Sequence, residues 1–424
     1  MNFGDLEKYS VTERVRDFYD RHPYPPPVAD LDEYRQQWQD EVRRRADFHL
    51  FWPAKPYHDQ QQILVAGCGT SQAAKYALRY PAAQIVGIDI SSTSIQETEK
   101  LIQRYELNNL ELVQLPIQQA EELDQQFDRI ICTGVLHHLP DPQAGLHALH
   151  QVLKPDGALH LMVYATYGRT GIHMIQDYGR LAGVGDTNAE INDFAKTLLS
   201  LPRTHPLAPL LAASPDFRTR AGLADALLNP QDRTYTVPQL LEIISSAGLR
   251  FGRWLRQAPY LPQCGGFADS PHISRLTRLP LQVQYTAMEL LRGTMLRHSA
   301  VIYQESSHDD QQTVNFDHER WHEYIPVITP GSTSIGEKLP PGASAVLINQ
   351  DHTYTDLFLP IDQTQKQIYD AIDGKLPIRQ IIKSVFSSDA AEQNETATRD
   401  FFQRLGCYDH VVFNTTGKTR TTQQ

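Results

Sequence analysis

The sequence predicts an α/β fold, a parallel sheet covered by helices on both faces, followed by a small α+β module. Three observations carry this. From Gln62 to Tyr164, short apolar runs alternate with helical stretches, the pattern of parallel strands joined by crossover helices. The first run ends in a glycine-rich turn, Gly67-Cys68-Gly69, where a strand can hand over to a helix. Beyond about residue 313 the order becomes strand, strand, helix, helix, helix, strand, which marks a separate unit. A chain of 424 residues is expected to hold more than one domain.

Residues 1–60 read as an N-terminal segment in which helical stretches around 10–20 and 30–50 flank His22-Pro23-Tyr24-Pro25-Pro26-Pro27. Consecutive prolines cannot continue a helix, so the chain is extended there. The strands that follow are Ile63–Ala66, Gln84–Asp89, Leu110–Leu115, Phe127–Thr133 and Ala158–Tyr164, with helices from Gln72 to Tyr80 and from near Ser91–Ser94. The alternation lapses over residues 165–236, a mostly helical insertion. It resumes with a helix over Pro238–Ala247, ended by Gly248, and the β-like run Leu249–Leu255. Another helix near 281–296 precedes a last strand, Ser299–Gln304, and the hydrophilic segment Glu305–Gln312 marks a boundary. In residues 313–424 a hairpin, Ser344–Ile348 with Thr355–Leu359, leads to helices near 363–373, 376–386 and 395–405 and a strand at Val411–Phe413. That order suggests a small winged-helix-like domain.

Composition narrows the function. The formal charge of -11 disfavours a long phosphate-lined partner, so no nucleic acid is expected. No uninterrupted apolar stretch of about 18 residues appears, so no membrane span is expected. The N-terminal residues carry charge early and lack an apolar signal core, which suggests a cytoplasmic protein. Cys68, Cys132, Cys264 and Cys407 lie far apart, against both a disulfide framework and a thiolate zinc site.

The strongest chemical signal joins the turn at Gly67 and Gly69 to Asp89 at the end of the next strand. Ligands of parallel sheets collect at the carboxyl ends of strands. Glycine lets backbone amides approach a ligand closely, and a carboxylate there can accept hydrogen bonds from both hydroxyls of a ribose. A dinucleotide fingerprint would place a third glycine where Gln72 stands, so a nicotinamide cofactor is the weaker choice.

At these residues the sequence resembles the class I S-adenosylmethionine-dependent methyltransferases. The resemblance rests on VAGCGTS (65–71), VGIDIS (86–91), FDRIICTGVLHHLPDP (127–142) and LKPDGALHLMVY (153–164), and covers about 60–306. It implies a Rossmann-like sheet of seven strands, the last antiparallel, in the place of Ser299–Gln304. It implies S-adenosyl-L-methionine as cofactor, with Gly67, Cys68 and Gly69 beside its methionine part, Asp89 on the ribose and Ile90 on the adenine. Thr133, Gly134 and Val135 would line the floor beneath the sulfonium. Two positions depart from the family pattern. Ser71 replaces a common third glycine, tolerable if its φ is negative. The third strand ends in Leu115-Pro116-Ile117 without the usual carboxylate, which leaves backbone groups or Gln118 to hold the adenine.

Histidine is suited to taking a proton near neutral pH. His137 and His138, at the end of the fourth strand, are therefore candidates for a base or an acceptor contact, or they shape a turn. A metal set of His147 and His150 with His137 or His138 lacks a carboxylate or cysteine partner in the sequence, and no metal is expected. Asp232, Arg233 and Tyr235 follow the insertion, where loops decide specificity, and are candidate acceptor contacts or an ordinary capped turn. Tyr19 and Tyr24 beside the proline run form an aromatic lid or simply pack on the core. The C-terminal unit resembles the small winged-helix-like domains of the PqqD type, some of which bind a leader peptide along a hairpin edge; packing or oligomerisation is its other reading. The expected activity is methyl transfer to a small molecule, with a peptide or protein acceptor, or a non-catalytic scaffold, as alternatives, and a homo-oligomer remains open.

Overall fold

The computed structural model describes residues 3–305, 314–317, 319–387 and 393–417. The N-terminal segment forms three helices, α1 (Phe3–Arg21), α2 (Asp32–Trp38) and α3 (Glu41–Phe51). The helix expected over 30–50 is broken because Asp40 serves as the N-cap of α3, accepting from the Val42 N–H at 2.9 Å. A side chain that caps a new helix cannot also continue the old one. The chain divides into two compact units. The first comprises the residues up to Arg35, Gln60–Phe251 and Arg292–Glu305; the second comprises Gln36–Asp59, Gly252–Leu291 and the described residues after Glu305. The expected boundary at Glu305–Gln312 lies, from Ser306 onward, outside the described residues.

The first unit is built on β1 (Gln62–Ala66), α4 (Gln72–Arg79), β2 (Gln84–Asp89), α5 (Ser92–Tyr105), β3 (Leu110–Gln114), β4 (Phe127–Thr133), α6 (Pro142–Val152) and β5 (Leu153–Tyr164). Ile63, Leu64, Val65 and Ala66 are all fully buried, as expected of a parallel strand covered on both faces. β5 begins at Leu153 rather than Ala158, because the turn-like Lys154-Pro155-Asp156-Gly157 is absorbed where its pairing with β4 shifts register. The insertion folds as α7 (Thr170–Leu181), α8 (Asn188–Leu199), α9 (Ala208–Ala213) and α10 (Arg220–Leu228). Its small core, with Ile172, Ile191, Phe194 and Leu223, also takes in Phe18 of α1.

α11 (Val237–Ser246) opens with a reciprocal cap between Thr236 and Gln239. After β6 (Leu249–Trp254), α12 (Ile273–Leu276) and α13 (Leu281–Arg292), β7 (Arg297–Gln304) completes a seven-stranded sheet of order β3-β2-β1-β4-β5-β7-β6. β7 runs antiparallel to β5, with Leu159 opposite Ile302 and Tyr164 opposite Arg297. The strand order reverses between β1 and β4, each paired to the other, so the crevice for a ligand lies outside their carboxyl ends.

In the second unit β8 (Ile325–Ile328), β9 (Ser332–Ile335), β10 (Ala345–Asn349) and β11 (Phe358–Ile361) precede α14 (Gln363–Asp370), α15 (Ile378–Val385), α16 (Glu395–Cys407) and β12 (Val411–Asn414). The expected hairpin is β10 with β11, and β9 adds a third strand. The last strand does not extend this sheet. β12 pairs with β8 in a separate antiparallel ribbon, Val412 opposite Val327, and α3 lies against that ribbon. Pro326 hid β8 from the sequence reading, since proline is tolerated only where a strand needs no N–H donor. No described helix is long and apolar enough to cross a membrane.

Candidate functional site

The turn after β1 needs both of its glycines. Gly67 and Gly69 adopt φ values of 71° and 54°, a region where side chains are strained. A Cβ on Gly67 would lie 2.4 Å from Val135 Cγ2, and one on Gly69 would lie 3.2 Å from Pro25 Cδ and from the Tyr24 carbonyl. The turn is therefore closed in by the β4 loop and by the proline run. Ser71 takes φ -159°, so the position of the family's third glycine needs no glycine here. Gln72 sends its amide to Thr133 Oγ1 at 2.6 Å, tying α4 to the end of β4. Cys68 is fully buried, and burial pushes its thiol well up.

Asp89 is fixed by backbone amides. Oδ2 accepts from the Gly69 N–H at 2.8 Å and Oδ1 from the Ser91 N–H at 2.9 Å. Burial pushes this carboxyl up, while those amide bonds favour its ionised form. Each oxygen keeps a second lone pair, so the group can still accept from a vicinal diol. Ile90 follows, half-buried, and its carbonyl accepts from the side-chain amide of Gln114 at 3.1 Å. Gln118 stands on the short turn Ile117–Leu123, half-buried; Gln114, not foreseen from the sequence, is the amide that reaches Ile90.

The N-terminal segment is bound to this turn. Thr70 Oγ1 donates to the Pro25 carbonyl at 2.7 Å. Asp20 of α1 accepts from Ser91 Oγ at 2.7 Å and from the Thr93 N–H at 3.1 Å, at the start of α5. Sequence reasoning missed Asp20, which looks like any acid on a solvated helix. Tyr24 donates to Asp216 Oδ1 at 2.6 Å, and Tyr19 donates to Asp225 Oδ1 at 2.8 Å. Asp225 also accepts from the Tyr164 hydroxyl at 3.2 Å, and burial pushes its carboxyl up. A lone acid among Leu223, Ala224, Ala226 and Leu227 was a readable signal.

Beyond Gly134, whose φ is 81°, the chain forms a short turn carrying His137 and His138, both buried. The following Asp141 caps α6 from the Ala144 N–H and Pro142 occupies its first turn. His138 Nδ1 lies 2.6 Å from the Gln231 carbonyl oxygen, which makes it the protonated nitrogen and leaves Nε2 with its lone pair. The His137 ring packs 3.9 Å from the Tyr164 ring and 4.2 Å from that of His138. Burial pushes His137 well down, so its ring is neutral. Asp232 Oδ2 accepts from Arg169 Nη2 at 3.3 Å and Gln176 Nε2 at 2.9 Å. The Arg169 guanidinium lies over Tyr164 at 3.6 Å. Among the described residues five atoms of this cluster have no hydrogen-bond partner: both ring nitrogens of His137, His138 Nε2, Asp232 Oδ1 and Arg169 Nε.

Of the residues expected around the acceptor, Asp232 thus joins the histidines. Tyr235 is buried, its backbone joined to β5 through the Tyr164 carbonyl at 2.9 Å, and Arg233 is exposed. The carboxylate near His137 and His138 is Asp232, which comes from a distant part of the chain. His147 and His150 are not part of this group: His147 is exposed and its ring meets Gln151 at 3.3 Å.

Residues 64–159 match the family described as "Methyltransferase domain". An uncharacterized protein of Synechococcus sp. is 31% identical over 251 residues, which cover 57% of this chain and 60% of the relative. The trans-aconitate 2-methyltransferase of Deinococcus radiodurans is 25% identical over 256 residues, 60% of this chain and 90% of that protein. The solved structure of PKMT2 from Rickettsia typhi in complex with AdoHcy superposes with a TM-score of 0.64 at 16% identity, covering 92% of this chain and 77% of that one. The matching family, the strand order and the antiparallel seventh strand together make the first unit's fold that of the class I methyltransferases.

Proposed function

We propose that the protein transfers a methyl group from S-adenosyl-L-methionine to an oxygen or nitrogen of a small-molecule acceptor. One observation carries the reading. A carboxylate at the tip of β2 is held by two backbone amides beside a turn of left-handed glycines, and it retains the lone pairs a ribose diol needs. The residues fit an adenosyl group on this ground, with Gly67 and Gly69 leaving room for its close approach. The match of residues 64–159 and the named activity of the Deinococcus relative support it.

When bound, the cofactor supplies a methyl carbon activated by positive sulfur for in-line displacement. Asp89 accepts the ribose hydroxyls, while Thr133, Gly134 and Val135 form the floor. Ile90 contributes an apolar surface for the adenine, with Gln118 and Gln114 as nearby amides. The segment around Pro25 covers the turn and keeps water from it. Tyr19, Tyr24, Asp232, Arg233 and Tyr235 orient the acceptor, and the histidine pair contacts its reacting end. His137 suits such a contact because its ring is held neutral by burial and its nitrogens have no hydrogen-bond partner among the described residues.

Asp89→Ala is expected to weaken S-adenosylhomocysteine binding by one to two orders of magnitude, about 1.4–2.8 kcal/mol, in calorimetry. Unchanged affinity would remove the ribose contact and the reading with it. A second reading, a peptide acceptor held by the second unit as in PqqD-type domains, is favoured by β11, which among the described residues pairs only with β10 and exposes Phe358. Methyl incorporation into peptides but not small molecules would select it. Cofactor binding without turnover on either class would leave a non-catalytic scaffold.

A further inference from the structure

We infer that His137, His138 and Asp232 form a binding site for a divalent transition-metal ion. One ligand atom from each of the three lies within 4.8 Å of the others. Two imidazoles and a carboxylate form a donor set that suits Zn²⁺, Co²⁺ or Fe²⁺ and leaves coordination positions open. Ligands about 2.1 Å from an ion stand at most about 4.2 Å apart, so the set closes onto an ion with side-chain movements below about 1 Å.

The bonding around the cluster is what distinguishes it from a chance grouping. The side chains are nearly or wholly buried: His137 is 0% exposed, His138 3%, and the Asp232 side chain 7%. Buried polar atoms ordinarily find partners, and an orphaned one costs about 1–3 kcal/mol. Here His138 Nε2, Asp232 Oδ1 and both His137 nitrogens lack one, and all belong to these three residues. In His138 and Asp232 the atom turned the other way is engaged. His138 Nδ1 is held by the Gln231 carbonyl, and Asp232 Oδ2 is held by Arg169 and Gln176. Such outer contacts fix the tautomer of a ligating histidine and aim a ligating carboxylate. The charge on Arg169 opposes a second cation, and its pairing with Asp232 offsets that opposition.

The role of the ion, though not the site, rests on the methyl-transfer reading. An acceptor hydroxyl or carboxyl group bound at an open position would be held as its anion, the proton having passed to solvent. Its oxygen then forms the new bond to the methyl carbon as the carbon–sulfur bond breaks, giving methylated acceptor and S-adenosylhomocysteine. The acceptors selected would be those with an oxygen donor able to ligate a metal.

The test uses the full chain, stripped with a chelator and titrated with Co²⁺. One equivalent is expected to bind and give the visible ligand-field absorption of a low-coordinate nitrogen–oxygen site, and Zn²⁺ should displace it. His138→Gln and Asp232→Asn should each weaken binding on the order of 100-fold, while His147→Gln on α6 should leave it unchanged. X-ray absorption of the Co²⁺ protein, which needs no variant, should show imidazole scattering. Absence of saturable binding, parental affinity in either His138→Gln or Asp232→Asn, or loss in His147→Gln would each overturn the site. S-adenosylhomocysteine affinity is measured on the same samples. Its retention shows that the variants fold, and its absence beside intact Co²⁺ binding would sink the methyl-transfer reading alone.

Discussion

Two buried carboxylates, one in each unit, show how differently the same chemistry is used. Asp409 in the second unit has every oxygen engaged. Oδ1 accepts from Arg253 at 3.3 Å, and Oδ2 accepts from the Gln257 and Ala258 amides at 2.7 and 3.0 Å. Its main-chain carbonyl takes hydrogen bonds from Thr329 Oγ1 and Asn349 Nδ2. Among the described residues Asp232 in the first unit is bonded through one oxygen, beside both nitrogens of His137 and Nε2 of His138, which have no partner. A satisfied polar group fastens segments together, whereas an unsatisfied one is held ready for a group that comes from outside.

The comparison breaks if the fully bonded carboxylate proves dispensable. Asp409→Ala removes the acceptor of the Gln257 and Ala258 amides and the carboxylate paired with Arg253, and should destabilise the second unit by about 3–5 kcal/mol in urea unfolding. A parental midpoint would show that this network fastens nothing.

A pH titration sharpens the contrast at the next scale. Burial lowers His49 to about 4 and His410 to about 3, both in the second unit. Unfolding lets these rings protonate near about 6.5, so the unfolded state binds more protons below that value. Stability is therefore complete above about pH 6.5 and falls as the pH drops toward the two folded values, by on the order of 3 kcal/mol for His49 alone. The urea midpoint of the second unit should decline over this window, less steeply in His49→Leu. A flat profile would mean that these rings are not held neutral.

The smallest effect on stability is expected where the chemistry is richest. His137→Phe replaces a buried ring that makes no hydrogen bond, so stability should stay level or rise by about 1 kcal/mol while methyl transfer is lost. A large loss in melting temperature would assign His137 to the scaffold.

Legibility in the sequence followed the same division. The strands were readable because a sheet covered on both faces writes continuous apolar runs such as Ile63–Ala66 and Ile85–Ile88. The glycine turn and Asp89 were readable because backbone geometry and strand-end position restrict what can stand there. The histidine pair and Asp232 were each visible as candidates, but not their meeting, which depends on the path of the insertion. Asp20 escaped for a related reason: its partners, Ser91 and Thr93, lie at the start of a helix far along the chain. β8 escaped because four residues with a proline carry too little periodicity to be separated from a loop.

The bonds that Asp20 makes to Ser91 and Thr93 have a practical consequence. A version of the protein trimmed to begin at the first strand would keep all seven strands and still lose the outside brace of the loop that carries Asp89. Shortening the chain from its front therefore acts on nucleoside recognition at a distance, through a helix that belongs to no sheet.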